Sequence, residues 1–396
     1  MNAEASRSIV LEIMTRFADL TGLSTAGNPP RRYLWTDSFA VCNFLELYRQ
    51  LHDETYKNLA LRLVDQVHEI LGRHREDDSR TGWVSGLSEG EGKMHPSKGG
   101  LRIGKRMNER KPGDPYDERL EWDRDGQYYH YLTKWMHALH QVHRATGDST
   151  YLVWAIELAK TAHGRFTYVP FSGGRKRMYW KMSIDLSYPL VESMGHHDPL
   201  DGFITYLELQ GAAARDPSRP LPDLHGEIDE MIDICKGKNW ATDDPLGIGG
   251  LLSDAYRLAQ ISLNENLKQV ELMADLLDSS LPGLQACLKN HTWNLPANYR
   301  LAFREFGLAI GLRAVEKLRI LIQKNPGLFG KRPAVHFPLQ ALTKYRDLTR
   351  TIEEFWLEPG NRGTGTWTEH RDINMVMLAT TLAPGGYLEI GEPGEK

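Results

Sequence analysis

Two turns separated by roughly 95 residues carry the same pattern, and this repeat narrows the possible folds more than any other feature of the chain. In RQLHDETYKNLA, Asp53, Tyr56 and Ala60 align with Asp148, Tyr151 and Ala155 of RATGDSTYLVWA, and further on Leu63 and His68 align with Leu158 and His163. Each aspartate stands where a helix begins, because a carboxylate there accepts otherwise unpaired backbone N–H groups. Before the first turn, Phe39, Ala40, Asn43, Phe44, Leu47 and Tyr48 share one face of a helix over 36–50, and after it Leu59, Leu63, Val67 and Ile70 share a face over 56–74. The short HDET connection makes this pair an antiparallel hairpin.

The pattern continues more loosely. GHHDPLDGF has Asp198 as an N-cap and Pro199 at the first helical position. Amphipathic spacing predicts hairpins over 177–215, 245–288 and 297–356, an extra helix over 224–235, and a final helix over 370–382. That last helix has no successor, and the N-terminal helix over 6–20 has no predecessor, so the two ends are expected to pair. The predicted fold is all-α, an (α/α)6 toroid of about six hairpins, in a single domain over residues 1–396.

Charge excludes some partners. With 48 basic against 52 acidic residues and a net charge of −4, the chain has no global field to recruit nucleic acid or an anionic membrane. No 18-residue apolar run occurs, and Cys42, Cys235 and Cys287 lack CxxC spacing and sit in apolar helical patterns, which predicts a soluble cytoplasmic protein with reduced thiols. HExxH and Cys/His clusters are missing, so neither a metal nor another cofactor is expected.

On this assignment a tryptophan stands at the start of every inner helix: Trp35, Trp122, Trp180, Trp240, Trp293 and Trp367. Polar groups accompany them, among them Asp37, Asp123, Asp125, Lys181, Asp185, Arg300 and Asp372, with His130 on the second inner helix. Large aromatics can simply plug the end of a helical barrel. Six with so many charges point instead to a pocket, since an unpaired buried carboxylate is costly. Flat apolar faces interleaved with hydrogen-bonding groups suit a sugar, so a small carbohydrate or oligosaccharide is the expected partner.

TDSFAVCNFLELYRQLHDETY and TKWMHALHQVHRATGDSTY, taken with the hairpin count, resemble the inner-helix, turn and outer-helix units of the six-hairpin glycosidase-like superfamily, the (α/α)6 barrels. The resemblance is architectural and covers most of residues 1–385. It implies a site at the barrel mouth and one of several chemistries, since members include glycoside hydrolases, unsaturated-uronide hydrolases, polysaccharide lyases and sugar 2-epimerases.

Two constellations suit hydrolysis, which needs a protonated carboxylic acid and an ionised carboxylate flanking the glycosidic bond. WDRDG places Asp123 and Asp125 near an inner-helix start, where the helix dipole favours negative charge. GTWTEHRDIN places Glu369, His370 and Asp372 at the start of the last helix. These predict a glycoside hydrolase with Asp123, Asp125, Glu369 and His370 as catalytic candidates. Epimerisation or elimination through histidine proton transfer is the rival chemistry, with His130, His196, His197 and His370 available, although GHHDP is expected on the rim opposite the tryptophans. The rival of another class is a helical scaffold that binds without chemistry. The long segment 82–119 is expected to fold over the mouth as a lid, offering Lys98, Arg102, Lys105 and Arg106 to an anionic group.

Overall fold

The computed structural model describes residues 3–24, 29–216, 220–265, 269–290, 292–330 and 332–391. Two compact units result: the first comprises residues 18–237, the second residues 238–396 together with 1–17. About two thirds of the chain is helical.

In the first unit the helices are α2 (Leu34–Leu51), α3 (Glu54–Leu71), α4 (Tyr129–Thr146), α5 (Ser149–Phe166), α6 (Asp198–Arg215) and α7 (His225–Cys235). The predicted repeat is real: Asp53 and Asp148 each accept a backbone N–H two residues on, from Thr55 and Thr150, and so cap α3 and α5. α2, α4 and α6 are buried almost all round and form the inner layer, α4 packing between the other two. α3, α5 and α7 cover them with one apolar stripe each. The prediction placed a helical hairpin over 177–215, but its first part is sheet. β1 (Gln127–Tyr128), β4 (Lys181–Met182) and β5 (Pro189–Val191) form a three-stranded antiparallel sheet in the order β1-β4-β5, while β2 (Thr167–Tyr168) pairs with β3 (Arg177–Met178).

The second unit holds α1 (Ala3–Leu20) up to Phe17, α8 (Pro245–Glu265), α9 (Val270–Lys289), α10 (Ala302–Lys324), α11 (Pro333–Thr343), α12 (Arg346–Leu357) and α13 (Arg371–Leu382). The N-terminal helix lies beside the C-terminal helix: Glu12, Ile13 and Arg16 line one cavity with Arg371, Met375 and Leu378. The predicted pairing of the chain ends therefore holds. α8 and α10 cross so closely that a Cβ on Gly249 would overlap the carbonyl of Gly307, and one on Gly311 would meet the Gly249 backbone. Gly249→Ala is expected to cost about 1–3 kcal/mol in chemical denaturation, from overpacking. Gly250→Ala, whose Cβ meets nothing, should lose no stability.

His68 gives the first unit a pH dependence. It is buried between α3 and α4, accepts the Trp135 indole N–H at 3.1 Å through Nε2, and meets Trp135 and Trp154 edge-on. Burial pushes its pKa down to about 3, so the folded protein keeps it neutral where the unfolded chain takes up a proton. Its contribution to stability is full above pH 6.5 and is lost as pH falls towards 3. Between pH 7 and 5 the loss should be about 2 kcal/mol, and His68→Gln should remove that part of the slope in denaturation curves.

Candidate active site

The inner helices of the first unit begin beside one another, and the chain reaches each start differently. Tyr33 precedes α2 in extended backbone, its N–H donating to Asp37 Oδ2 at 2.8 Å, while Arg32 pairs with Asp37 Oδ1 at 3.4 Å. Asp37 is thus a buried staple of the helix start, not a group facing a pocket. α4 begins directly after β1, and the pairing of Tyr128 with Lys181 brings His130 next to Trp180. α6 begins at Asp198, with His197 as its N-cap. GHHDP therefore leads into an inner helix on the same rim as His130, contrary to the expected placement on the opposite rim. The loop before it replaces the helix predicted over 177–197.

His130 sits at the centre of this rim. Its ring lies 4.9 Å from Tyr131, 5.3 Å from Tyr128, 5.9 Å from Trp35 and 6.4 Å from Trp180, nearly parallel to the last. Trp122 meets Trp180 edge-on at 5.6 Å and is half exposed. Tyr33 and Tyr131 share a hydroxyl hydrogen bond of 2.8 Å. Across the α4–α6 seam, His130 Nδ1 lies 3.4 Å from Asp198 Oδ1 without hydrogen-bond alignment. Asp198 is 95% buried, and its Oδ2 has no hydrogen-bond partner. A buried carboxylate oxygen left unpaired beside a partly exposed imidazole is expensive unless a ligand or a proton transfer uses it.

The seam continues inward as a polar ladder. Lys134 Nζ bonds both Asp201 oxygens at 2.7 and 2.9 Å, and Thr133 Oγ1 lies 3.2 Å from Asp201. One turn deeper, His137 and His140 each place Nδ1 against Glu208 Oε1, at 2.8 and 2.6 Å. Burial lowers the pKa of His140 to about 4, against the opposing pull of Glu208. Among the described residues no group of three or more His, Cys, Asp or Glu is arranged to hold a metal ion.

The predicted acids separate by environment. Asp125 is fully buried and accepts from Arg102 Nη1 at 2.9 Å, Arg75 Nη1 at 3.2 Å, and the Gly104 and Gly126 amides at 2.9 and 3.1 Å. All its acceptor capacity is used in fastening loops. Asp123 ends the short helix Glu118–Asp123 and is exposed. Neither begins α4, as the sequence had suggested, because β1 intervenes. Asp185 is tied to Ser183, Ser187 and Arg80. Lys181 is buried, donating to Glu121 Oε1 at 2.9 Å and to the Glu121 and Arg124 carbonyls.

The segment 82–119 is anchored along its length. Trp154 donates to the Met94 carbonyl, Ser97 to the Trp154 carbonyl and Thr161 to the Lys98 carbonyl, which holds the first part against the outer helix α5. Arg102 is committed to Asp125 and to the Ile70 and Arg73 carbonyls. Lys98 and Arg106 are exposed. Lys105 alone of the four predicted cations reaches the aromatic cluster, with Nζ 5.5 Å from the Tyr33 ring centre; burial, with the nearby Lys181 charge, lowers its pKa against the pull of Asp123 and Asp125.

In the second unit the tryptophans mostly fill space. Trp240 and Trp367 are buried, as Trp35 is in the first unit, and Trp367 packs on Trp356 and Phe306. Arg300 forms a two-pronged pair with Glu305 at 2.7 and 2.8 Å, donates to the Trp293 carbonyl and lies 3.7 Å over Phe355. Glu369 and His370 are exposed before α13, His370 against Phe303, while Asp372 pairs with Arg371 at 3.1 Å. Sequence reading missed Tyr33, Tyr128, Tyr131, Lys134, Asp198 and Asp201 as parts of one site. Its available signal was the three- and four-residue spacing of charges in HYLTKW and DPLD, on helices otherwise apolar all round.

No protein-family model matches the chain, and no curated protein matches it. Solved structures do. A sugar epimerase from a ruminal bacterium aligns with 96% of this chain and 98% of its own, at TM-score 0.51 and 10% identity. The GH76 α-mannanase from Bacteroides thetaiotaomicron aligns with 98% of this chain and 96% of its own, at TM-score 0.52 and 8% identity. A polysaccharide lyase covers 96% of this chain and 97% of its own, at TM-score 0.50 and 8% identity.

Proposed function

We propose that this chain, which shares the fold of the six-hairpin glycosidase-like (α/α)6 proteins, is a carbohydrate-active enzyme and that its reaction is proton transfer next to the carbonyl of a reducing sugar, as in epimerisation. The observation that carries this reading is His130, partly exposed among four aromatic rings and backed by Asp198. A sugar ring lays its C–H face on Trp180 or on Trp122, which stand nearly perpendicular to each other, and this leaves its hydroxyls to Asp123, Lys105 and Asp198. Imidazole is the side chain suited to take and return a proton at neutral pH. With Nδ1 facing Asp198, Nε2 accepts the proton from C2 of the open-chain sugar, giving an enediolate. Return of that proton to C2 yields the sugar or its C2 epimer. The similar structures described as a sugar epimerase, an α-mannanase and a polysaccharide lyase are consistent with a carbohydrate substrate.

Incubation with reducing mono- and disaccharides in D2O tests the reaction type. Deuterium at C2, detected by NMR, is the expected outcome for at least one sugar. Hydrolysis is the second reading, favoured by the exposed Asp123 carboxylate following Trp122. New reducing ends released from oligosaccharides without deuterium incorporation would establish it instead.

A further inference from the structure

A half-open cavity of about 400 Å³ lies in the second unit between α1, residues 359–368 and α13. Three arginines line it, Arg16, Arg362 and Arg371, against a single acid, Glu12. Ile13, Leu378 and the largely buried Trp367 supply apolar surface. Arg16 is exposed and has no ion-pair partner among the described residues. Arg362 anchors one end nitrogen on the Leu357 carbonyl while its Nε, shielded from solvent, has no hydrogen-bond partner. Arg371 is held by Asp372 through Nε. Counting Asp372, the charge around the cavity is net positive, and it comes from the side chain that pairs planar oxyanions two-pronged.

We infer that this cavity binds a small organic anion, with a carboxylate or phosphate on the arginines and a ring-sized body against Ile13, Leu378 and Trp367. For a carbohydrate-active enzyme that anion is a sugar acid or a sugar phosphate; this identification rests on the proposed function, whereas the anion site itself does not. The volume accommodates one such molecule. The site is distinct from the one around His130, because every lining residue belongs to the second unit.

Isothermal titration of the full chain with glucuronate, glucose 6-phosphate and glucose tests the site. Saturable binding of glucuronate, of glucose 6-phosphate or of both is expected, and which of them binds identifies the anionic group. Arg16→Glu, a change on an exposed helix face, and Arg371→Gln should each weaken that binding at least tenfold. Trp180→Ala, which removes the stacking surface of the first-unit site, should leave it unchanged. Failure of both anions to bind, equal binding by the arginine variants, or equal affinity for glucose would overturn the inference. Loss of binding in Trp180→Ala with retention in Arg16→Glu would place the anion in the first unit; that would sink this site and leave the proposed reaction intact.

Discussion

His130→Phe is expected to lower turnover by about 10²–10⁴-fold, the usual contribution of a positioned general acid or base. Phenylalanine keeps a flat ring among Trp35, Tyr128, Tyr131 and Trp180, so the aromatic packing and sugar affinity should change little. The loss should therefore appear in kcat and not in KM. Asp198→Asn should be milder. It keeps the size of the side chain but removes the negative charge 3.4 Å from His130 Nδ1, so kcat should fall, by less than in His130→Phe, with KM little changed. A variant pair that loses stability but not turnover would assign both residues to packing.

Asp125→Ala is expected to show the opposite profile, a loss of about 3–5 kcal/mol in stability, as when one partner of a buried ion pair is removed. Arg75 and Arg102 are both mostly buried and both turn towards this carboxylate, which also accepts the Gly104 and Gly126 amides. Removing it takes the shared carboxylate from two guanidinium groups, leaving Arg102 with backbone carbonyls only and Arg75 with Asp77 and backbone carbonyls, and leaves two amides unpaired at the base of the 82–119 segment. Asp123→Asn, on an exposed side chain a turn away, should change stability by less than about 0.5 kcal/mol. Denaturation curves of the two variants separate the fastening aspartate from the one available to a ligand. Any activity lost in Asp125→Ala should track the folded fraction.

The helical periodicity and the Asp-capped turns were legible in the sequence because both are local. A capping aspartate acts within two residues, and an apolar stripe repeats within one helix. The pairing of the chain ends was legible as well, since two unpartnered amphipathic helices must cover each other. What could not be read was whether a given tryptophan faces a pocket or fills a helix end, which depends on neighbours far along the chain. Trp122 and Trp180 present surface while Trp35, Trp240 and Trp367 are buried, with nothing in the flanking sequence to distinguish them. Asp125 misled for the same reason: its partners Arg75 and Arg102 are distant in sequence and reach it only when the loops fold. The strands over 177–191 are too short for a period-two pattern to emerge, so GHHDP was assigned to the wrong rim. The N-cap expected at Asp198 is His197, one residue earlier, and the position of Asp198 opposite His130 depends on how α4 and α6 pack.

A crystal structure of the protein soaked with a reducing disaccharide tests the role of His130. The sugar ring is expected to stack on Trp180 or Trp122, with its C2 about 3–3.5 Å from His130 Nε2, the separation of a reactive pose. A sugar bound only in the second unit, with the rings around His130 uncovered, would contradict it.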